Sequence, residues 1–399
     1  MQQHAQHTRA QRVDSMWSCR LSYTAGLLTG AAPSANAAEH KHPLWKKLLL
    51  AASTVFLLLL VLEGALRIAG AKPKTATVLS HFFQHHASYG WHGIAGASFQ
   101  FATVDFDVRI SHDDDGLRRC GLQSRIDEDA AFPGTMVWVL GDSTTWGWGI
   151  ADEETYVDRL NQLGPDDLEF RNLGMTGFAT PQEHLLLTDY FERGRRPDLV
   201  LILYSGNDLN ENLSKGGIRP RFEVVDGKVE LRNHPVPRSA KWNVSARLKK
   251  SSLVYNYLHF YLTTLKLKLR TRAREAKYEQ ARERSRLGRV PPTEEQLVAL
   301  REGYGMIQRL CQDHGVRFAV IAKIRNEARD VALVCPELGV PVLDLSDAWT
   351  RHLEDEHAPS LRFRSDPHAN ATGHRLIAES LYPKVSALLA EHGPPARSG

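Results

Sequence analysis

The sequence predicts an α/β fold, a three-layer α/β/α sandwich around a five-stranded parallel sheet, preceded by one N-terminal transmembrane helix. Three observations carry this expectation. Five short apolar runs, 136–140, 168–172, 199–204, 316–322 and 340–345, alternate with helix-length segments. Strands that are apolar on both faces belong in a parallel sheet covered by helices. The stretch 48–68 is apolar and, at about 1.5 Å per residue, reaches across a hydrocarbon layer of about 30 Å. The composition, 42% hydrophobic and 24% charged, is that of a folded globular chain and excludes a wholly disordered, collagen-like or disulfide-stapled one.

In chain order, residues 1–43 are polar and Ala/Ser/Gly-rich around 29–38 without periodicity, which reads as a disordered tail. The transmembrane helix follows at 44–70, flanked by Trp45, Lys46 and Lys47, with Glu63 and Arg67 one turn apart near its far end. A cleaved secretory signal competes with it, because a basic stretch, an apolar core and Ala69-Gly70-Ala71 follow in the matching order. Charged Glu63 and Arg67 suit an interface better than a signal core and favour a retained anchor. Positive charge does not orient the helix: Lys41, Lys46 and Lys47 on one side are matched by Arg67, Lys72 and Lys74 on the other.

Segment 71–133 carries alternating stretches at 98–101 and 104–110 broken by Gly and Asp clusters, so small β-hairpins are expected in a β-rich subdomain ahead of the sheet. The run Asp113-Asp114-Asp115 reads as a turn; no further ligand spacing makes it a cation site. The main domain spans 134–395 and is interrupted at 210–288, first by a Gly/Pro-bearing loop at 216–237 and then by helical stretches within 246–287. An insertion of that size is usually functional or directed at a partner. It reads either as a lid over the site or as a membrane-facing basic helix.

The net charge of +4 is concentrated in this insertion, where 266–289 holds ten Lys/Arg against three Glu. A solvated helix face beside a membrane accounts for it, and no nucleic-acid-binding motif occurs. The four cysteines, Cys19, Cys120, Cys311 and Cys335, lack C-x-x-C spacing, and the eighteen histidines fall into no metal-ligand pattern. Neither a metal nor a cofactor is expected. At most one internal disulfide is available in the folded part, with Cys311–Cys335 as the candidate pair.

The residues that carry chemistry follow the strands. The first run ends at Gly141-Asp142-Ser143, which places Ser143 at a strand's carboxyl end, where open α/β sheets build their sites. A helix N-cap is the plainer role for a serine there. The second run ends at Asn172-Leu173-Gly174-Met175-Thr176-Gly177 and the third at Ser205-Gly206-Asn207-Asp208, bringing a glycine backbone and a carboxamide to the same edge. Such groups can stabilise the oxyanion of an acyl-transfer intermediate, about 3 kcal/mol for each fixed donor, although Gly177 also suits a simple turn and Asn207 a cap. Near the C-terminus, Ser365-Asp366-Pro367-His368 precedes a helical pattern at 375–389. His368 can take a proton from Ser143 and return it to the leaving group, and Asp366 is the nearest carboxylate to orient the imidazole. Asp142, Asp208 and His374 read as structural; Trp146 and Trp148 suit either a pocket wall or the core.

The four blocks GDS, NLGMTG, SGND and DPHANATGH, in this order, resemble those of the SGNH hydrolase superfamily, the GDSL-like lipases and esterases. The resemblance covers about 135–389 without the insertion. It implies a flavodoxin-like sheet, Ser143 as nucleophile, the Ser143 N–H, Gly177 and Asn207 as oxyanion hole, and His368 with Asp366. Many members space the last pair as Asp-x-x-His; the shorter Asp366-Pro367-His368 is similar to membrane-associated polysaccharide acetyltransferases of the superfamily. Similar anchored members face outward, which favours an extracytoplasmic domain. The expected activity is hydrolysis of acyl or acetyl esters, with a polysaccharide among the candidate substrates and the membrane as a partner through 44–70. O-acyl transfer to a glycan and a non-catalytic envelope binding protein are the alternatives.

Overall fold

The computed structural model describes residues 43–71, 82–103, 105–120, 132–238, 248, 251–262, 265 and 290–391. The tail expected at 1–43 and the basic stretch 266–289 therefore lie, but for Pro43, outside the described residues. By its contacts the chain falls into two units, 1–57 and 58–399. In the first, the described residues are Pro43 and the opening of helix α1 (Leu44–Ile68), whose leucines from Leu44 to Leu62 are exposed rather than packed. This is the one helix among the described residues that is long and apolar enough to cross a membrane.

The second unit is built on a five-stranded, all-parallel sheet of β5 (Thr135–Gly141), β6 (Leu168–Asn172), β7 (Leu199–Leu203), β10 (Arg317–Ala322) and β11 (Val342–Asp344), ordered β11-β10-β7-β5-β6. Counted along the chain this is order 2-1-3-4-5, the flavodoxin-like arrangement, with its switch point between β5 and β7. Each strand fits its expected run, except that β11 is shorter than 340–345. The alternation of side chains explains why β5, β7 and β10 read as continuous apolar runs, whereas β6 carries Glu169 and Arg171 between its apolar residues. Val137 and Val139 of β5 face a core shared with helices Tyr156–Leu163 and Ala371–Ala390, whereas Trp138 and Leu140 face helices Thr180–Glu192 and Glu294–Asp313.

Ahead of the sheet, β1 (Phe83–His86) pairs with β2 (Gly90–Gly93), and β3 (Ser98–Ala102) with β4 (Asp107–Ser111), as antiparallel hairpins. Their Phe82, Trp91, Phe101 and Ile110 enter the same apolar cluster as Trp138 and Leu140. The acidic run between β4 and β5 is a braced turn. The Asp113 carboxylate accepts the N–H groups of Asp115 and Leu117 at 3.0 and 2.8 Å, and Asp115 pairs with Arg171 at 2.7 Å and with Arg195.

Two expectations need correction. The segment 216–237 is not a plain loop: β8 (Arg221–Val225) and β9 (Lys228–Arg232) form a hairpin around Asp226-Gly227, both with positive φ. That Asp-Gly turn between alternating strands is a strong local hairpin signal that the surrounding Gly and Pro obscured. Nor are Cys311 and Cys335 joined; both are free, buried thiols.

Three histidines are structural. Burial above all holds His92 down to about 4 and both His112 and His374 down to about 3, with the Arg118 charge adding to the effect on the last two. An unfolded histidine binds its proton near 6.5, so below that pH unfolding takes up protons and stability is lost as pH falls towards the folded values. Urea unfolding of the full chain in detergent should therefore weaken from pH 6.5 downwards, by about 1.4 kcal/mol per pH unit for each histidine. His374→Gln should reduce that slope by one proton, and an unchanged slope would refute this source of acid lability.

Candidate active site

The site lies at the carboxyl edge of the sheet, at the switch point between β5 and β7. Strand β5 ends at Gly141, and the chain turns at once into the short helix Ser143–Trp146. Asp142 caps this helix by accepting the Thr144 N–H at 2.9 Å, which leaves the Ser143 hydroxyl out of the capping role. Ser143 Oγ instead lies 2.7 Å from His368 Nε2.

His368 sits in the loop before helix Ala371–Ala390, whose first turn is capped by Asn370. Its Nδ1 lies 2.5 Å from Asp366 Oδ1, and the same oxygen accepts the His368 backbone N–H at 3.0 Å. One residue of spacing therefore suffices, because the carboxylate folds back over its own loop. Burial works to raise the Asp366 carboxyl, but hydrogen bonding and charge from His368 and the Trp148 N–H outweigh it and hold the group below the ordinary carboxylate range. An ionised Asp366 favours the tautomer with hydrogen on Nδ1, leaving Nε2 to accept the Ser143 hydroxyl proton.

The two tryptophans beside Ser143 divide between the two expected roles. Trp148 donates to Asp366 Oδ2 at 3.2 Å and stacks on His368, ring centres 5.3 Å apart. Trp146 is fully buried among Phe82, Phe83 and His112, so it is core.

Asn207 follows β7. Its side chain caps no helix and lines a cavity of about 180 Å³ together with Ser143, Ser205, Lys323, Arg362 and His368. Beneath it, Asp208 braces the loop by accepting the Ser205 N–H at 3.1 Å, and burial first, then Glu183, pushes its carboxyl well up. Gly177 has φ +72°, a left-handed conformation that favours glycine, in the turn after β6. It is not among the residues lining that cavity; Trp91 and Arg219 pack over it, with Trp91 donating to the Thr176 carbonyl at 3.0 Å. His374 accepts the Tyr156 N–H at 3.0 Å and stays structural. Among the described residues, no group of three or more His, Cys, Asp or Glu is placed to hold a metal ion.

Three supporting residues escaped the sequence reading. A Cβ on Gly174 would come within 2.5 Å of the Trp146 nitrogen, so only glycine lets the loop after β6 close on the Ser143 helix. Asn172 fixes that contact by donating to the Thr145 carbonyl at 2.8 Å. Arg118, with no exposed surface, donates to the carbonyls of Trp146, Gly147 and Ile150 and pairs with Asp152 at 2.9 Å. Gly174 and Asn172 stand inside the NLGMTG block and were within reach; nothing local marks Arg118.

A family model described as GDSL-like lipase/acylhydrolase matches residues 139–376. Solved structures similar to the chain include a member of the lipolytic G-D-S-L family from Veillonella parvula, 10% identical over 64% of this chain and 100% of that one, with a TM-score of 0.36. A psychrotrophic esterase from a Pseudoalteromonas species is 12% identical over 64% and 99%, TM-score 0.36. An acetyl xylan esterase is 12% identical over 63% and 99%, TM-score 0.35. Curated proteins give no match.

Proposed function

The chain belongs to the GDSL-like lipase/acylhydrolase family, and from that premise we propose that it hydrolyses short acyl or acetyl esters through an acyl-Ser143 intermediate on a cell-envelope substrate. The observation that carries this reading is the aligned trio, Ser143 Oγ to His368 Nε2 at 2.7 Å and His368 Nδ1 to Asp366 Oδ1 at 2.5 Å, opening on a cavity. His368 takes the Ser143 proton as Oγ attacks the ester carbonyl carbon. The oxyanion that forms is held by the Ser143 N–H and the Asn207 amide, whose residues both line the cavity. Collapse breaks the bond to the alcohol oxygen, which leaves with the proton from His368. Water, deprotonated by the same imidazole, then releases the acid and restores the Ser143 hydroxyl.

The cavity supports a short acyl group. At about 180 Å³ it is smaller than the roughly 300–1,000 Å³ typical of pockets for larger ligands. Lys323 and Glu327, paired at 2.7 Å, form part of its wall and suit a hydroxyl-rich substrate better than a lipid chain. In this reading α1 is a retained single-pass anchor, 71–133 a β-rich subdomain, and the domain from 134 to 395 faces outside the cytoplasm.

Acetyl and butyryl esters supplied to the purified full-length protein, with and without an oligosaccharide acceptor, test the reaction. Release of free acid with little transfer is expected. Acetyl groups appearing on the oligosaccharide in preference to water would replace hydrolysis by O-acyl transfer, and turnover equally absent from wild type and Ser143→Ala would favour a binding protein.

A further inference from the structure

The helical segment 253–262 within the insertion carries its polarity the wrong way round for a helix packed on a protein core. Leu258 and Leu262 are 55% and 48% exposed, and helical Leu265 is 53% exposed, whereas polar Asn256 is buried at 4%. Positions 258, 261, 262 and 265 follow the i, i+3, i+4, i+7 spacing of a single helix face. Tyr261, 55% exposed, completes the stripe.

The start of this helix is tied to the end of α1. Glu63 accepts the N–H groups of Leu253 and Val254 at 3.0 and 2.9 Å and the Ser252 hydroxyl at 2.9 Å. A carboxylate from another element thus caps two of the helix's four unpaired N–H groups and meets the positive end of its dipole. Arg67 donates to the Ser251 carbonyl at 2.7 Å and to Glu63 at 2.8 Å, closing the clamp. Glu63 is the first charged residue after the apolar run that ends at Leu62. Where a membrane-spanning α1 leaves the hydrocarbon is therefore where this helix begins.

We propose that the helix at 253–262 lies in the plane of the bilayer's headgroup region, its Leu258, Tyr261 and Leu262, with Leu265 beyond them, turned towards the acyl chains and its start fixed to the anchor by Glu63 and Arg67. The inference rests on the reading of α1 as membrane-spanning. The bilayer is the occupant that fits, because the clamp places the stripe beside the end of the anchor. Tyrosines at 255, 257 and 261 have the apolar body and polar tip that interfaces favour. The chain continues from this helix into the ten Lys/Arg of 266–289, which suit anionic headgroups. Two attachments, the anchor and the in-plane helix, would hold the hydrolase at a fixed height over the membrane.

The test uses full-length protein carrying Cys19→Ser and Leu262→Cys, labelled at 262 with an environment-sensitive fluorophore; the other cysteines are buried. It is reconstituted into phosphatidylcholine–phosphatidylglycerol vesicles with or without lipid bearing a nitroxide near the headgroup. The emission should shift to the blue and lose most of its intensity to the nitroxide lipid, while the same label at Glu230→Cys on exposed β9 keeps its emission. Adding Glu63→Ala should reduce the quenching at 262 and leave hydrolysis of a soluble ester unchanged. Protein that resists alkaline carbonate extraction but shows an unquenched, water-like spectrum at 262 would overturn the in-plane helix and spare the anchor. Extraction into the supernatant would overturn both, and quenching indifferent to Glu63→Ala would remove the clamp.

Discussion

Ser143→Ala should lower kcat/KM for a short-chain ester by on the order of 10⁴-fold or more and leave the fold intact. The hydroxyl is used by the site alone: Oγ bonds His368 Nε2, and the helix it opens is capped by Asp142. His368→Ala should cost about as much, and the double variant little more than either, because in the proposed mechanism nucleophile and base act as one unit. Asp366→Asn is the informative member of the set. Had a backbone carbonyl shared in holding Nδ1, this change would be mild. The structure instead gives Nδ1 the Asp366 carboxylate, whose second oxygen is held by the Trp148 N–H. A loss of roughly 10³–10⁴-fold is therefore expected, since the amide can offer Nδ1 the wrong partner and tautomer. Ester hydrolysis measured beside circular dichroism checks all four variants, and activity surviving in Ser143→Ala would sink the mechanism.

Arg118→Met is expected to destabilise the protein by about 3–5 kcal/mol, the scale for breaking a buried ion pair from one side. Arg118 is fully buried, and its loss takes the ion-pair partner from Asp152, which keeps the Ser111 N–H, and a donor from each of the carbonyls of Trp146, Gly147 and Ile150. Those carbonyls belong to the turn that follows Ser143, so protein that still folds should also hydrolyse esters more slowly through a displaced nucleophile. Thermal unfolding in detergent measures the first effect and kcat the second. Arg118→Lys should recover only part of either, because one ammonium cannot reproduce a guanidinium reaching four acceptors. A melting temperature within a degree or two of wild type for Arg118→Met would show that the buried guanidinium contributes no net stability.

How much was legible follows the range over which each signal acts. Strands β5, β7 and β10 were readable to within a residue or two because apolarity on both faces is written in consecutive residues, and β6, with Glu169 and Arg171 between its apolar residues, because alternation is equally local. The Asp226-Gly227 hairpin was equally local and was obscured only by the glycines and prolines around it. That Ser143, Asn207, Asp366 and His368 meet at one edge of the sheet was readable because each stands at a strand end or before a helix, in a motif a few residues long.

What tertiary structure decided lies in pairs far apart along the chain. Trp148 reaches Asp366 across 218 positions, while Trp146 two residues earlier turns into the core, and no local pattern separates the two. Arg118 closes on Asp152 over 34 positions and Glu63 on Val254 over 191. By itself the sequence determined which segments become strands and which side chains can do chemistry, since backbone preference and side-chain period act over neighbouring residues. Which arginine is buried, which tryptophan supports the histidine and which helix is tied to α1 were decided only when the folded chain brought distant polar groups together, because a buried donor or charge must find its partner wherever packing places one.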